Sequence, residues 1–306
     1  MKALVVSNID HCNMGYSISQ ALQKVGVNAT ATFRKYEAFR HPESGIQIVD
    51  EANLTPYAKE ADIILFMHTA YRELGVDLST KKVLVWHTGS GYRQKYTKYN
   101  RFFDRIVDVS LCGADVLGLG CKNERKLNGL TDVNLLQPIY ERQGDKIIIA
   151  HYPSNPKGIE IIQEAIERLS PLSDSFIFKY DPQTVTWKKH IERVSECDIY
   201  ISEMYEKQIK RGREYIVGLF GIAALEAAAL GKVPISRFVF EEDCTEYPLG
   251  LQVANNADEL TKLLTRLLSM SDEEFLNVRK RARDWVVNCH SLEAVGRRLL
   301  NIIEEI

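Results

Sequence analysis

Gly218-Leu219-Phe220-Gly221-Ile222-Ala223-Ala224-Leu225-Glu226-Ala227-Ala228-Ala229-Leu230-Gly231 opens with two glycines and closes with one. The stretch reads as a helix over 221–230 with a glycine stop. It is apolar on every side, so it belongs inside a domain and not on a surface. Glu226 is its one charged residue, and Ile222, Ala223, Ala229 and Leu230, one turn away on either side, offer no cation. A carboxylate in that setting is costly to bury unless something hydrogen-bonds it. A ligand with adjacent hydroxyls, such as a ribose, would do so; a wet edge or a remote Arg or Lys would serve equally.

On either side of this helix lie short branched-residue runs at 198–202 and 233–237, which read as strands. Between strand 198–202 and the helix lies a long segment. Its residues 206–215 (EKQIKRGREY) carry Lys207, Lys210, Arg211 and Arg213 and are expected as a polar loop, either a binding loop or a solvated one. Further upstream, the strand 146–150 (KIIIA) runs into His151-Tyr152-Pro153-Ser154-Asn155-Pro156-Lys157-Gly158. Asn155 suits a helix N-cap and Pro156 a first helical position, predicting a helix over 156–169. Lys157 in a first turn opposes the helix dipole, unless it shares an anion with the helix N-terminus; a solvated surface lysine is the other reading. Two helix N-termini, a lysine and a buried glutamate together suit a nucleoside diphosphate.

Strand-like runs alternate with helical patterns along the whole chain, which predicts an α/β fold with parallel sheets. In the first half, strands are expected at 3–7, 28–33, 62–67, 82–86, 106–111 and 133–136, with a helix at 17–25 ending at Gly26. In the second half, a strand is expected at 175–180 and helices at 184–195, 257–269, 272–288 and 291–304. Residues 137–145 are polar and contain Pro138 and Gly144. A domain boundary is therefore expected near 140, giving two Rossmann-like domains, 1–140 and 141–306. The length of 306 residues accommodates both. Lys and Arg number 39 against 41 Asp and Glu, a net charge of −2, which excludes bulk electrostatic binding of nucleic acid but allows a local basic patch. The six cysteines are scattered without zinc-knuckle spacing, which points to a reducing, cytoplasmic compartment; no metal or other cofactor is expected. The N-terminus reads as a first strand, and no apolar run approaches the ~20 residues of a membrane span.

In the first half, Gly15 precedes a helix, where a ligand could approach the backbone. His68 and His87 close strands, and His87 opens His87-Thr88-Gly89-Ser90-Gly91-Tyr92-Arg93. Both histidines are candidates for ligand contact or for structural hydrogen bonding. Residues 92–105 (YRQKYTKYNRFFDR) hold five basic residues, one acid and interleaved aromatics. They read as an amphipathic helix with Tyr96, Tyr99 and Phe103 inside and cations in water, or as a surface for an anionic, stacked acceptor.

Together these motifs resemble the GT-B glycosyltransferases, in particular the retaining family-4-like branch (glycosyl transferases group 1). The resemblance is strongest over 146–306. Glu226 matches the second glutamate of that family's E-x7-E signature, within a donor-binding segment running from Gly218, Leu219, Phe220, Gly221 and Ile222 onward. Lys157 matches the phosphate-binding lysine, with Ser154 and Asn155 beside it. His87 matches the sugar-contacting histidine and Gly15 the first glycine loop, while His68, Gly89, Ser90, Tyr92 and Arg93 fall on the acceptor side. The resemblance implies domains facing across a cleft, with a last helix at about 291–306 crossing back onto the first. It also implies transfer from a nucleoside-diphosphate sugar with retention and without metal, and no Asp-x-Asp motif occurs in the sequence. Gly218 stands where the first glutamate is usual, and Tyr152 where an arginine is usual; Arg213 or Arg211 is the candidate replacement. The acceptor stays open among glycan, lipid-linked saccharide, protein and modified nucleobase, as does the oligomeric state. A non-catalytic nucleotide-sugar-binding protein, a nucleotide-sugar epimerase and a nucleic-acid-binding protein resting on 92–105 and 207–213, which the acidic balance opposes, are the competing readings.

Overall fold

The computed structural model describes residues 1–33, 47–48, 54–68, 71–154, 158–204, 207–210, 213–216, 220–239 and 249–306, with the backbone alone at 47–48, 90, 207–210 and 213–216. The chain divides into two units, Met1–Leu130 with Ser291–Ile306, and Thr131–His290.

The first unit is built on the strands β1 (Lys2–Val6), β2 (Asn28–Phe33), β3 (Gln47–Ile48), β4 (Ile63–Met67), β5 (Lys82–His87), β6 (Val109–Cys112) and β7 (Glu124–Lys126). They form one parallel sheet in the order β3-β2-β1-β4-β5-β6-β7. This is the doubly wound order, whose direction reverses between β1 and β4. Ile63 to Met67 are all buried, as a strand covered on both faces requires. Helices α1 (Met14–Lys24), α2 (Leu54–Glu60) and α3 (Gly89–Phe103) connect the strands. The C-terminal helix Leu292–Glu304 packs on α1 at Gly296, where a Cβ would overlap the Ala21 carbonyl oxygen.

The second unit has the strands β8 (Ile147–His151), β9 (Phe176–Tyr180) and β10 (Ile199–Ile201), and a hairpin of β11 (Lys207–Lys210) with β12 (Arg213–Ile216). Strands β13 (Val233–Ser236) and β14 (Gln252–Val253) complete a parallel sheet in the order β14-β13-β10-β8-β9. Its reversal lies between β8 and β10. Helices α4 (Ile159–Arg168), α5 (Trp187–Ser195), α6 (Ile222–Ala229), α7 (Ala257–Leu268) and α8 (Asp272–His290) cover it. One core layer joins Ile162, Ala165, Leu264 and Leu267 to the sheet, and the other joins α6 to Val286 and Trp285 of α8.

Four expectations change. Residues 133–136 form a turn, not a strand: the carbonyls of Val133 and Leu136 accept hydrogen bonds from Arg283 instead of from a neighbouring strand. Residues 131–140 belong to the second unit, because Arg279 donates to the carbonyls of Ile139 and Tyr140 as well as to Gly231, so the division falls at 130/131. The segment 206–215 holds a β-hairpin, with Lys207 opposite Ile216 and Lys210 opposite Arg213. Helix α4 starts at Ile159 with Gly158 as its cap in the left-handed region (φ 81°), a conformation that favours glycine. Asn155 and Pro156 were the expected start and lie, with Lys157, outside the described residues.

Candidate functional site

Helix α6 is buried from Ala224 to Ala229, and Glu226 is 5% exposed within it. The indole N–H of Trp187 donates to Glu226 Oε1 at 2.6 Å, and His190 Nε2 lies 3.8 Å from Oε2. Both partners come from α5, one turn apart, on a helix that follows β9 and is capped by the Thr186 hydroxyl. Two half-buried nitrogen groups of α5 thus face the carboxylate. The Tyr200 phenol, edge-on to His190, is pushed well up by burial first and then by the negative charge of Glu226.

At the start of α6, Gly221 caps the helix in extended conformation without a side-chain hydrogen bond. A Cβ there would meet Glu203 Oε1 at 2.9 Å, so glycine admits the Glu203 carboxylate to the helix N-terminus. The ring of Phe220, a donor-side candidate, is an anchor: it lies among Phe238, Trp285 and His290 at centroid distances of 5.3–5.4 Å. Ile222 is half-buried, and Gly218 and Leu219 lie outside the described residues. At the carboxyl end of β8, the His151 ring donates from Nδ1 to the Ile201 carbonyl at 2.8 Å, tying β8 to β10 at the sheet reversal. Ser154 follows, half-buried. Arg193 lies 5.6 Å from the Tyr152 ring and is paired with Asp181. Arg213 lies in β12, where its backbone alone is described.

In the first unit, the reversal between β1 and β4 carries a second cluster. Asp10 is buried, and its carboxylate accepts the amides of Gly15 at 2.6 Å and Tyr16 at 3.0 Å. A Cβ on Gly15 would lie 2.9 Å from Asp10 Oδ1 and 2.7 Å from Ser7 Oγ. The glycine therefore admits the aspartate, which already occupies the N-terminus of α1. Cys12, Asn13 and His68 all take left-handed backbone conformations (φ 54–56°). Three such non-glycine residues in the segments that follow the adjacent strands β1 and β4 mark a backbone over-determined by its surroundings, as functional loops often are. His68 meets Thr88 Oγ1 at 2.6 Å and the edge of the exposed His11, and burial, then the His11 charge, lowers its pKa to about 3.

His87 and Tyr92 are placed otherwise than expected. The His87 ring is fully buried, stacked on Tyr92 at 4.0 Å and edge-on to Phe103, and burial lowers its pKa to about 3. The reason is local: α3 starts at Gly89 and lays Tyr92 over the imidazole, while the Tyr92 hydroxyl donates to Asn100. Arg93 pairs with Asp115 in a largely buried contact, which uses its charge. Gly89 is exposed with φ 70°, and Ser90 lies in the first turn of α3. Sequence reasoning missed Asp10, His11, Trp187 and His190. Asp10 alone had a signal, an acid just ahead of a glycine-led helix.

No protein-family model and no curated protein matches this sequence. Solved structures do match. HepE of Anabaena, in complex with UDP and glucose, matches over 100% of both chains with a TM-score of 0.66 at 10% identity. An alpha-glucosyltransferase in complex with UDP-glucose and DNA containing an abasic site matches over 99% of both chains, with a TM-score of 0.67 at 12% identity. AviGT4, a glycosyltransferase involved in avilamycin A biosynthesis, matches over 100% of this chain and 97% of its own, with a TM-score of 0.64 at 10% identity. The chain has the α/β GT-B fold, with two Rossmann-like domains.

Proposed function

We propose that the protein is a glycosyltransferase that takes a sugar from a nucleoside-diphosphate sugar, with UDP as the first nucleotide to test. The observation that carries the reading is Glu226: a buried carboxylate, alone in an apolar helix, held by an indole N–H beside the sheet reversal of the second unit. Two of the three structural neighbours described above hold UDP or UDP-glucose. In this reading Glu226 accepts the ribose hydroxyls. Lys157, Ser154, Asn155 and the backbone at Gly218 to Ile222 hold the diphosphate, with Arg213 supplying the missing guanidinium. As the glycosidic bond breaks, the diphosphate gains charge, and fixed amides and Lys157 stabilise it without reorganisation. Transfer with retention and without metal rests on the family resemblance and on the lack of an Asp-x-Asp motif. His87 is assigned the sugar contact by the same resemblance; with Tyr92 stacked over it, that contact requires the tyrosine to swing away. Asp10, His11 and His68 form the acceptor-side candidate in the first unit.

Isothermal titration of UDP into wild type and Glu226→Ala tests the donor site. Saturable binding by wild type, weakened in the variant, supports it; a folded wild type that binds no nucleoside diphosphate refutes it. Gly218 in place of the usual glutamate favours a second reading, a protein that binds the donor and transfers nothing. Release of free sugar or sugar transfer from UDP-glucose excludes that reading. Epimerisation of the donor without any acceptor would mark the third.

A further inference from the structure

Helix α3 carries a face that the donor reading leaves unused. Its fifteen residues contain no Asp or Glu. Tyr92, Asn100 and Phe103 are buried on one side, and Tyr96 and Tyr99 are half-buried. On the other side Lys95, Lys98 and Arg101 are exposed, followed by Arg105 in the turn beyond the helix. At ~100° per residue these four fall within about a third of the helix circumference, with Phe102 in the same sector. The helix kinks at Lys95, so that residue opens the row and does not continue it. Among the described residues none of the four cations makes an ion pair, in contrast to Arg93, which is spent on Asp115. The acid next to the row in sequence, Asp104, is half-buried and accepts the Lys122 amide. Beside the row, Phe102 (40% exposed) meets Tyr71 (38% exposed) edge-on at 4.7 Å. Glu73, exposed, lies near Tyr71, and after burial it raises the Tyr71 phenol.

We propose that this face docks the phosphodiester backbone of a nucleic acid. A row of four unpaired cations on a chain of net charge −2 is a local field of one sign. It runs ~15 Å along the helix, about four phosphates of one strand. Exposed rings beside cations are what a strand with unstacked bases requires. An anionic membrane fits less well, because an interfacial helix inserts its apolar face and the apolar face of α3 is already inside the domain. As the surface that brings an acceptor, the proposal rests on the glycosyltransferase reading; as a binding surface it stands alone.

The test is fluorescence anisotropy of the full chain with a labelled single strand and a duplex of about 20 bases or base pairs, titrated at several salt concentrations. Four contacts predict a slope of about −3 to −4 in log affinity against log salt on duplex, equivalent to about a 100-fold loss between ~50 and ~200 mM salt. The variant Lys98→Gln/Arg101→Gln/Arg105→Gln should bring the slope to about −1 and weaken binding at least about tenfold at low salt. Lys262→Gln/Lys280→Gln/Arg297→Gln removes the same charge elsewhere and should change little. No binding at low salt, or equal loss in the two variants, overturns the proposal. So does binding to phosphatidylserine vesicles without binding to either nucleic acid. UDP titration of the same samples separates the readings. UDP binding without nucleic-acid binding sinks this surface alone, and nucleic-acid binding without UDP binding sinks the donor reading alone.

Discussion

Replacing Glu226 by alanine should weaken UDP binding without unfolding the protein, and the structure sets the scale. The carboxylate is 5% exposed, and Trp187 already donates to one of its oxygens at 2.6 Å. Two carboxylate oxygens offer about four acceptor positions, so a ribose diol and the indole fit on the same group. A hydrogen bond to a charged partner is worth about 1.5–3 kcal/mol. Losing one in full raises the dissociation constant roughly tenfold to 150-fold. The cost to the fold is smaller, since removing a buried charge recovers desolvation and offsets the loss of the Trp187 acceptor. Glu226→Gln separates the two effects: its amide oxygen still accepts from Trp187, but the acceptor is neutral, so binding should fall by less than in the alanine variant. Isothermal titration gives the affinities, and thermal melts by circular dichroism establish that each variant is folded. A folded Glu226→Ala protein that binds UDP within about twofold of wild type would refute the assignment of this carboxylate to the ribose, since that is under ~0.5 kcal/mol.

Three further outcomes are expected. Gly296→Ala drives a methyl into the Ala21 carbonyl oxygen of α1, backbone that side-chain rotation cannot move aside; urea denaturation should show a loss of about 1–3 kcal/mol, and no loss would mean that the C-terminal helix does not sit as described. Arg279→Met leaves the carbonyls of Tyr140 and Gly231, and Asp198 at 3.7 Å, without the buried guanidinium, while the Ile139 carbonyl keeps only Lys232. About 3–5 kcal/mol should be lost in chemical denaturation, and a loss under ~1 kcal/mol would refute the clamp. His87 has a folded pKa of about 3 against an unfolded value near 6.5, so the unfolded chain takes the proton first as pH falls. Its contribution is intact above about pH 6.5 and is lost from there down toward 3, at about 1.4 kcal/mol per pH unit. Urea midpoints at pH 7 and pH 5 should therefore fall less in His87→Phe, which keeps a ring for Tyr92; an equal fall in both proteins would show that the imidazole is not buried neutral.

What was legible in the sequence had a local cause. The α6 stretch declared itself by being apolar all round, and β4 and β8 by runs of branched residues flanked by polar ones. The turn at 133–136 misled because Val133, Leu135 and Leu136 look like a strand, while the arginine that fixes their backbone is Arg283, about 150 residues away in sequence. The hairpin at β11 and β12 was hidden because its charged residues mask the alternation that marks a strand. The partners of Glu226 were out of reach for a similar reason: Trp187 is 39 residues upstream, on a helix whose own pattern says nothing of what its indole meets. The burial of His87 was not legible for a local reason: its place at a strand end shows in the sequence, but the next helix begins so soon that Tyr92 covers the imidazole.

The site in the second unit owes its geometry less to the residues that would touch a ligand than to those that hold α6 by its two ends. At the N-terminal end, Phe220 is wedged among Phe238, Trp285 and His290, which fixes where the helix starts. At the C-terminal end, Arg283 donates to the Ala229 carbonyl and Arg279 to that of Gly231. Both cations sit where the helix dipole favours positive charge. The same two arginines also hold the carbonyls of Val133, Leu136, Ile139 and Tyr140, so the segment entering the unit and the end of α6 share one anchor. A helix fixed at both ends and buried along its length leaves Glu226 little freedom in depth or rotation. Trp187 then sets the carboxylate itself. That is the arrangement of a preorganised binding group, in which the ordering cost is met on folding and not on binding. A surface glutamate of equal charge would have to be immobilised by the ligand, so burial here is the feature that makes a single carboxylate worth assigning.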